Sequence, residues 1–424
     1  MNESPGEILR ARLPLWAVAT LLGITLALGA GAGLLGGLMI NRPAPACPES
    51  EDVCAEFAVF WEAWELARER YVEPEAAAPD SMTAGAVNGM LDTLGDSGHT
   101  RFLTAEEARE WDEQLRGSFE GIGAYIDVRD GQTMIVAPIE GSPAEAAGLR
   151  AGDQILAVDG ESTSGWTVGD LQRAVKGPGG TQVTLTVLHP DAEQPVEITI
   201  TRAQVVVPSV SWRLLDSGIA LIRLASFDDD AGRELRAALG EAQDQGARAV
   251  ILDMRNNPGG LLDQAVEVAS QFLPEGTTVL LEEDREGRQE VTGARRGGVA
   301  LDVPLVVLVN EGSASSAEIV SGALQVAGRA TLVGETTFGT GTVLTPYRLS
   351  DGSRLLLGTQ EWLTPDGRQI RGQGIVPDER VALPIDVAPM SPAEAAELDA
   401  AALRESEDVQ LARALELASA AASR

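Results

Sequence analysis

Metal ligands and lysine are scarce in this sequence. Its 424 residues include two cysteines and two histidines, and these four residues form no ligand cluster of the kind that zinc requires. No metal and no cofactor is therefore expected. Lysine occurs once, as Lys176, and every other basic residue is arginine. We interpret this as a compositional bias of the protein surface.

Positive charge is also in short supply. The chain has 64 acidic and 32 basic residues, which gives a net charge of −32. A surface of this charge repels polyphosphate, so nucleic acid is excluded as a partner. The hydrophobic fraction of 44% and the charged fraction of 23% are typical of a globular protein. The length predicts two to four domains.

One long segment lacks charge altogether. Residues 13–40, 28 in all, are uncharged and mostly apolar, which is enough to span a bilayer about 30 Å thick at 1.5 Å per residue. The core of a cleaved signal peptide is shorter, about 7 to 15 residues, so a retained anchor is the better interpretation. Arg10 and Arg12 precede the run and acidic residues follow Arg42, which predicts a cytoplasmic N-terminus and a body outside the cell membrane.

The two cysteines, Cys47 and Cys54, follow the predicted anchor on its outer side. An oxidising compartment permits a disulfide between them, and two free thiols are the alternative. The segment APAC that ends at Cys47 lacks the apolar residue of a lipoprotein cleavage site. Lipidation is therefore not favoured.

The hydrophobic periodicity divides the rest of the chain. Apolar residues recur at helical spacing first, then short β-branched runs are separated by Gly, Pro or Asp turns, and then strands alternate with helices. An Ala- and Glu-rich helical tail with no identified chemistry follows. The predicted divisions are a cytoplasmic tail and anchor at 1–42, a linker at 43–55, a helical domain at 56–116, a β-rich module at 117–205, an α/β core at 206–388 and the tail at 389–424.

The β-rich module resembles a PDZ domain. The resemblance rests on GIGA at 121–124, on SPAEAAGLRAGDQILAVDG at 142–160 and on an amphipathic helix near 167–176. A glycine loop of this kind turns backbone N–H groups toward a terminal carboxylate, and the strand that follows, Tyr125 to Val128, offers an edge to an extended peptide. The resemblance implies that protein or peptide C-terminal tails are partners. It assigns peptide binding to Gly121, Ile122, Gly123 and Ala124.

A run of serines follows the apolar strand PLVVLV. Residues 310–318 read NEGSASSAE, and residues 255–260 read RNNPGG after another apolar strand. Both loops place glycine-containing backbone at the N-terminus of a predicted helix, where α/β sheets bind ligands. A serine at this place is either a plain helix N-cap or a nucleophile whose target carbonyl is held by backbone N–H groups.

The motifs and their order resemble the carboxyl-terminal processing peptidases, also called tail-specific proteases. The resemblance covers residues 57–385 and includes GETTFGTGTVLT and TPDGRQIRGQGIVPD. With the anchor, the expected architecture is a mixed α/β and β multidomain protein: an N-terminal transmembrane helix, a small helical domain, a PDZ domain and a crotonase-like α/β core. The resemblance also implies a serine peptidase with Ser315 at the nucleophile position. It assigns the oxyanion hole to the backbone N–H groups of Ser316 and of Gly259 or Gly260.

The base that this family uses is missing from the motif. The family has a lysine 25 residues after the serine and a positioning glutamine four residues further on, and these positions hold Thr340 and Leu344. A lysine can accept the serine proton when burial lowers its pKa from about 10.4 toward 7 or 8. A threonine hydroxyl has no comparable basicity, so the peptidase activity is expected to be impaired or absent.

Other side chains are weaker candidates for the base. Lys176 ends the predicted PDZ helix and is interpreted as a solvated charge. His99 is interpreted as a structural residue of the loop GDSGHTRFL, and neither it nor His189 is expected in the core. Glu318 is expected to be a capping-box partner of the helix start rather than a base, and Glu335 is a weaker candidate still.

Two functions remain open at this point. One is a pseudoprotease or adaptor that binds C-terminal tails through the PDZ domain, alone or as the inert partner of an active paralogue. The other is an active serine endopeptidase that cleaves near substrate C-termini with a substitute base or with help from a partner subunit. The sequence also leaves open whether the chain forms a homo-oligomer and whether the PDZ domain gates access or tethers substrates.

Overall fold

The computed structural model describes residues 50–423, apart from residues 97–98, 130, 140 and 191. Residues 13–40 and Cys47 lie outside the described residues. The predicted membrane anchor and the pairing of Cys47 with Cys54 that the sequence permits therefore stay untested. Within the described ranges, no helix combines the length and the apolar character that crossing a bilayer requires. Two compact units meet in the sequence between Met82 and Thr83, and each is described by itself.

The described part of the first unit is helical, as its periodicity predicts. It contains helix α1, Glu51–Arg70, a 3₁₀ turn, Pro74–Ala77, and the beginning of helix α2, Pro79–Asp92. Four aromatic rings of α1 lie against one another with centroid separations of 5.2 to 6.1 Å, most of them edge to face. Cys54, on the same helix, is disulfide-bonded.

The second unit is a mixed α/β structure. Its strands are β1 Arg101–Leu103, β2 Ser118–Gly121, β3 Ala124–Arg129, β4 Gln132–Pro138, β5 Gln154–Val158, β6 Glu161–Ser162, β7 Gln182–Leu188, β8 Val196–Thr201, β9 Ala203–Val206, β10 Val210–Leu214, β11 Ile219–Leu224, β12 Ala249–Asp253, β13 Thr278–Asp284, β14 Gln289–Gly293, β15 Leu305–Val309, β16 Thr331–Gly334, β17 Thr342–Arg348, β18 Arg354–Leu363 and β19 Glu379–Arg380. Its further helices are α3 Ala105–Leu115, α4 Pro143–Ala146, α5 Val168–Val175, α6 Ala231–Asp244, α7 Leu262–Ser270, α8 Ser316–Val326, α9 Pro392–Ala396, α10 Ala400–Arg404 and α11 Val409–Ala422.

The β-rich module is an antiparallel sheet with the strand order β3-β4-β5-β7-β8, and β6 pairs with β5. Val183, Leu185 and Val187 of β7 are buried while their neighbours are not, which is the period-2 pattern of a sheet with one covered face. Helix α5 packs beside β3. Strand β3 lies at the edge of the sheet, as predicted for a peptide-binding strand.

The central sheet of the α/β core has the strand order β10-β11-β12-β15-β16-β19, and only the β10–β11 pair is antiparallel. All residues of β12 and β15 are buried, because α6, α7 and α8 cover one face and α11 covers the other. Since β12 and β15 are parallel neighbours, the loops after Asp253 and Val309 leave the same edge of the sheet. The two sequence-predicted loops therefore start side by side.

Two segments contribute more to the core than the sequence indicates. Residues 101–103, within the predicted helical domain, form strand β1, which pairs with β18 and buries Phe102 and Leu103. The C-terminal tail is helical as predicted, but Leu411 and Leu415 of α11 are buried against the central sheet. The tail is thus part of the core rather than an appendage to it.

Candidate active site

Hydrogen bonds hold the two sequence-predicted loops together. Asn310 Nδ2 donates to Asn256 Oδ1 at 2.8 Å, and the Asn256 N–H donates to Asn310 Oδ1 at 2.7 Å. Farther along the loops, the Ala314 N–H donates to the Asn257 carbonyl oxygen at 2.9 Å. These bonds place the start of α8 beside the loop that follows β12.

Ser315 lies at the N-cap position of α8 in a strained conformation. Its φ of 57° and ψ of −119° fall in a region that non-glycine residues rarely adopt, at a cost of about 1–3 kcal/mol. Such strain persists where the surrounding structure fixes it. Gly259 lies so close that a Cβ there would be 2.6 Å from Ser315 Cβ and 2.8 Å from the Ala314 carbonyl oxygen. Glycine at position 259 lets the two loops approach this closely.

The backbone N–H groups beside Ser315 are not equally available. The Gly259 N–H donates to the buried Asn257 Oδ1 at 2.8 Å. The N–H groups of Gly260 and Ser316 have no acceptor within the described part of the chain, while Ser316 Oγ donates to the Gly260 carbonyl oxygen at 3.0 Å. Of the predicted oxyanion donors, the geometry leaves Gly260 and Ser316 free to bind a substrate oxygen and makes Gly259 a spacer.

Glu318 is fully buried and contacts both sides of the site. Its Oε2 accepts from the N–H groups of Ser315 at 2.9 Å and Thr340 at 2.8 Å, and its Oε1 accepts from Thr337 Oγ1 at 2.5 Å and the Gly339 N–H at 2.7 Å. Burial raises the pKa of this carboxyl, although the hydrogen bonds act against the rise. The predicted role of Glu318 at the helix start is confirmed, since its side chain accepts from the Ser315 N–H, whereas the Ser315 side chain makes no cap hydrogen bond. With four donors already bound, Glu318 is a clamp between the two segments rather than a base.

Thr340 and Leu344 stand where the family motif has lysine and glutamine. The backbone of Thr340 is fixed on both sides, because its N–H donates to Glu318 and its carbonyl oxygen accepts from Trp362 Nε1 at 2.6 Å. Leu344 packs against the small apolar cluster that includes Leu356. The backbone of the motif is therefore in place, but the buried side chain at position 340 ends in a hydroxyl and a methyl group.

A cleft of about 610 Å³ contains the predicted site. Ser315, Thr340 and both glycines of the RNNPGG loop line it. Its titratable lining side chains, among the described residues, are those of His99, Arg101 and Asp228. No three His, Cys, Asp or Glu side chains in the described ranges are placed to hold a metal ion.

The expectation that His99 lies outside the core is wrong, since this residue lines the same cleft as Ser315. Its Nδ1 lies 2.7 Å from Thr342 Oγ1, and Thr342 is two residues after Thr340. Burial lowers the pKa of the imidazole. His99 lies two residues before β1, and the pairing of β1 with β18 helps to bring it to the cleft. No local sequence pattern predicts that pairing.

The other candidates for a base lie elsewhere. Lys176 Nζ is 3.5 Å from a carboxylate oxygen of Glu113. His189 Nδ1 is 2.6 Å from Oδ1 of the buried Asp153 in the β-rich module. Glu335 follows β16. None of these three candidates is among the described residues that line the cleft.

A buried arginine joins the C-terminal segment to the site. Arg255, the first residue of RNNPGG, is fully buried, and its guanidinium lies 2.8 Å from carboxylate oxygens of both Asp253 and Asp408. Burial alone would lower the pKa of Arg255, but the two carboxylates raise it above its ordinary value. The guanidinium therefore stays charged. It connects the segment before α11 to the loop that carries Gly260.

The loop predicted to bind peptide has the backbone arrangement that such binding needs. The Ile122 carbonyl oxygen accepts from the Ala144 N–H at 2.7 Å, and the Gly123 carbonyl oxygen accepts from Ile139 N–H at 3.0 Å and Ser142 Oγ at 2.8 Å. The N–H groups of Ile122 and Gly123 have no acceptor among the described residues. Gly123 is required here, because its φ is 79° and a Cβ would lie 2.4 Å from Ser142 Cβ.

Comparison with known proteins identifies both parts of the second unit. The profile of peptidase family S41 matches residues 218–381, and that of the PDZ domain matches residues 134–188. The carboxy-terminal processing protease CtpA of Bacillus subtilis (strain 168) is 38% identical over 305 residues, which are 72% of this chain and 65% of that protein. The carboxyl-terminal-processing protease of Synechocystis sp. is 40% identical over 328 residues, 76% of each chain.

Among solved structures, a putative S41 protease from Bacteroides fragilis has the same fold. It aligns with a TM-score of 0.53 at 18% identity and covers 81% of this chain and 92% of that one. The resemblance predicted from the motifs is thereby confirmed at the level of the family and of its PDZ domain.

Proposed function

Because this chain belongs to peptidase family S41, with a PDZ domain like its C-terminal processing relatives, we propose that it binds the C-terminal tails of proteins and brings them to Ser315. Cleavage there is impaired, since Thr340 replaces the lysine base, so tail binding as an adaptor or pseudoprotease is the main activity. The proposal rests chiefly on one observation. An edge strand, β3, begins beside two N–H groups that have no acceptor within the described residues.

Tail capture follows from the chemistry of that edge. A polypeptide can extend the sheet along β3, and the N–H groups of Ile122 and Gly123 can bind its terminal carboxylate. A hydrogen bond to a charged group is worth about 1.5–3 kcal/mol. The free carboxylate is therefore the feature of the ligand that this loop selects, and side-chain preferences come second.

Impaired cleavage follows from the side chain at position 340. General base catalysis contributes about 10²- to 10⁴-fold to the rate of a reaction of this kind. The hydroxyl of Thr340 cannot supply it, and Glu318 is fully engaged by four donors. Backbone donors and Ser315 remain, so the site keeps part of a peptidase's machinery. A crotonase-type core is part of this proposal.

An active endopeptidase is the second candidate function. It is favoured by the strained conformation of Ser315 and by the free N–H groups of Gly260 and Ser316 beside it. Strain of this kind, at about 1–3 kcal/mol, is characteristic of functional sites. This candidate needs a base from another residue or from a partner subunit.

The setting of this function is also proposed from the sequence. The apolar run at residues 13–40 anchors the chain in the cell membrane and leaves the body on the extracytoplasmic side, where protein tails are the substrates or ligands. A second copy of the chain or an active paralogue remains a candidate partner. Protease accessibility of the body in intact cells and in broken cells distinguishes the two orientations.

Tail binding is tested with the full chain purified in detergent. A fluorescent peptide with an apolar C-terminus and a free carboxylate is titrated by anisotropy, alongside the same peptide with an amidated C-terminus. Loss of the charge-assisted hydrogen bonds, about 1.5–3 kcal/mol, predicts that amidation raises Kd about 10- to 150-fold. Equal binding of the two peptides would contradict the proposed mode of capture.

Impaired cleavage is tested with an unstructured protein substrate and the Ser315→Ala variant as background. We expect weak turnover in the unchanged chain and a rise when Thr340→Lys is combined with Leu344→Gln, since these replacements restore the family's residues. Turnover by the unchanged chain equal to that of the double variant would show that Thr340 impairs nothing.

A further inference from the structure

A buried carboxylate lines the cleft that contains Ser315. Asp228 is 3% exposed and belongs to the cleft lining. Its Oδ1 accepts from the Asp230 N–H at 3.1 Å. Its Oδ2 has no hydrogen-bond donor among the described residues and keeps solvent-accessible surface. None of the sequence motifs that point to Ser315 includes this residue.

Asp228 also lacks a partner of opposite charge. No basic nitrogen of the described residues lies within 4.0 Å of its carboxylate. Arg233, in the first turn of α6, pairs with Asp230 at 2.9 Å instead. Burying a charge without a partner is costly, and buried aspartates are ordinarily paired or hydrogen-bonded. An unpaired carboxylate in a cleft is therefore a place where a ligand can supply the positive charge.

The backbone places Asp228 next to the loop that carries the oxyanion donors. The preceding residue, Phe227, is a parallel bridge partner of Gly260. Its N–H donates to the Gly259 carbonyl oxygen at 3.0 Å, and its carbonyl oxygen accepts from the Leu261 N–H at 2.7 Å. Bridge partners lie about 4.8 Å apart and consecutive Cα atoms about 3.8 Å apart, so the Cα atoms of Asp228 and Gly260 are within about 9 Å. A substrate held by Gly260 therefore lies close enough for one of its side chains to reach this carboxylate.

The surroundings of Asp228 suit a long basic side chain. The last turn of α3 lines the cleft through Leu115, and the Leu115 carbonyl oxygen accepts from the Asp229 N–H at 3.0 Å, which brings this helix end to Asp228. The C-terminus of a helix carries about half a unit of negative charge, so it adds to the attraction for a cation. Apolar lining residues such as Trp111 can pack against the methylene stem of a lysine or arginine.

The other charges of the cleft lining leave this negative site in place. Burial lowers the pKa of His99 below its ordinary 6.5, so the imidazole is uncharged at neutral pH. Arg101 is exposed, so water and salt screen its charge. The chain as a whole has a net charge of −32, which attracts basic segments.

We propose that Asp228 is a specificity-determining residue of the cleft, which accepts a lysine or arginine side chain next to the scissile bond. This inference rests on the proposed function, since it names the kind of segment that reaches Ser315 after its tail is bound. It adds a selection for positive charge to the selection of a free C-terminus. The ligands best suited to this chain are thus protein tails that carry a basic residue upstream of the C-terminus.

Binding to the cleft is measured with amidated fluorescent peptides, which lack the carboxylate that the PDZ loop selects. Two peptides differ at one central residue, lysine in one and uncharged norleucine in the other, and the full chain carries Ser315→Ala to prevent cleavage. We expect the lysine peptide to bind about 10-fold more tightly in anisotropy titrations. Asp228→Asn keeps an oxygen for the Asp230 N–H but loses the charge. It should abolish this preference, while the norleucine peptide binds as before.

Asp229→Asn is the matched control. Asp229 is exposed and does not line the cleft, so this variant removes the same net charge away from the site and should keep the preference. Equal Kd values for the two peptides, no binding of either peptide, or a preference that Asp228→Asn leaves unchanged would overturn the proposal. Tail capture is measured separately with the free-carboxylate peptide, which the Asp228→Asn chain should bind as the unchanged chain does. The two proposals can therefore fail independently.

Cleavage sites give an independent measurement. In the chain with Thr340→Lys and Leu344→Gln, the cuts in an unstructured protein are mapped by mass spectrometry. Lysine and arginine should be enriched at one position beside the cut, and the addition of Asp228→Asn should remove this enrichment. The same frequency of basic residues at that position with and without Asp228→Asn would show that the carboxylate selects nothing.

Discussion

Replacing Asp408 by alanine tests whether the C-terminal helices are part of the core that positions the site. One carboxylate oxygen of Asp408 accepts from Arg255 at 2.8 Å and from the Leu411 N–H at 3.0 Å, and the other accepts from the Met390 N–H at 2.9 Å. Removing one partner of a buried ion pair costs about 3–5 kcal/mol. Because Arg255 keeps its contacts with Asp253, we expect the free energy of unfolding to fall by about 3 kcal/mol, at the lower end of that range. Loss of the helix cap should lower it by about 1 kcal/mol more.

Urea unfolding of the full chain, followed by tryptophan fluorescence, measures this loss as a lower midpoint. Asp399→Ala is the matched control, because Asp399 also caps a helix of the tail, by accepting from the N–H groups of Ala401 and Ala402, but it is exposed and touches no buried cation. The Asp408 variant should shift the midpoint much further than the control. Equal, small shifts in both variants would refute the view that the tail is locked into the core through Arg255.

Further predictions concern the site itself. Gly259→Ala should destabilise the chain and abolish Ser315-dependent turnover, since the new Cβ would lie 2.6 Å from Ser315 Cβ. Gly240→Ala, on α6 with open space around it, is the control and should leave turnover unchanged. Equal turnover in the two variants would contradict the close approach of the loops. The pKa of His99 is lower in the folded chain than its ordinary value of 6.5. Below pH 6.5 the unfolded chain therefore binds a proton that the folded chain does not, and the free energy of unfolding decreases as pH falls. The urea midpoint should therefore fall less steeply between pH 7 and pH 5.5 in His99→Asn than in the unchanged chain, and identical slopes would refute this. Leu344→Gln alone should lower the midpoint, because Leu344 packs in an apolar cluster, and an unchanged midpoint would show that this packing contributes nothing.

Much of the site could be predicted because its signals are local in sequence. The apolar runs of β12 and β15 mark buried parallel strands, and the glycines and serines that follow them mark the two loops beside each other. The motif also located Ser315 and the threonine in place of lysine. For the same reason, the glycine loop at 121–124 and the edge strand that follows it could be located from the sequence.

What the sequence missed depends on contacts between distant residues. His99 reaches the cleft because Arg101 pairs with Leu356 across two strands, a register that no local pattern specifies. The choice between Gly259 and Gly260 as donor depends on the side chain of Asn257, which takes up one N–H group. Long-range contacts of this kind are set by packing rather than by periodicity.

A chain without lysine provides the most direct measurement of how Ser315 is activated. Lys176→Arg removes the single lysine of the sequence and keeps a cation beside Glu113, away from the cleft. Ser315-dependent kcat/KM of this variant should match that of the unchanged chain at each pH, because the account gives Lys176 no part in cleavage. Loss of turnover in the lysine-free chain would contradict the account and indicate that Lys176 supplies the missing base.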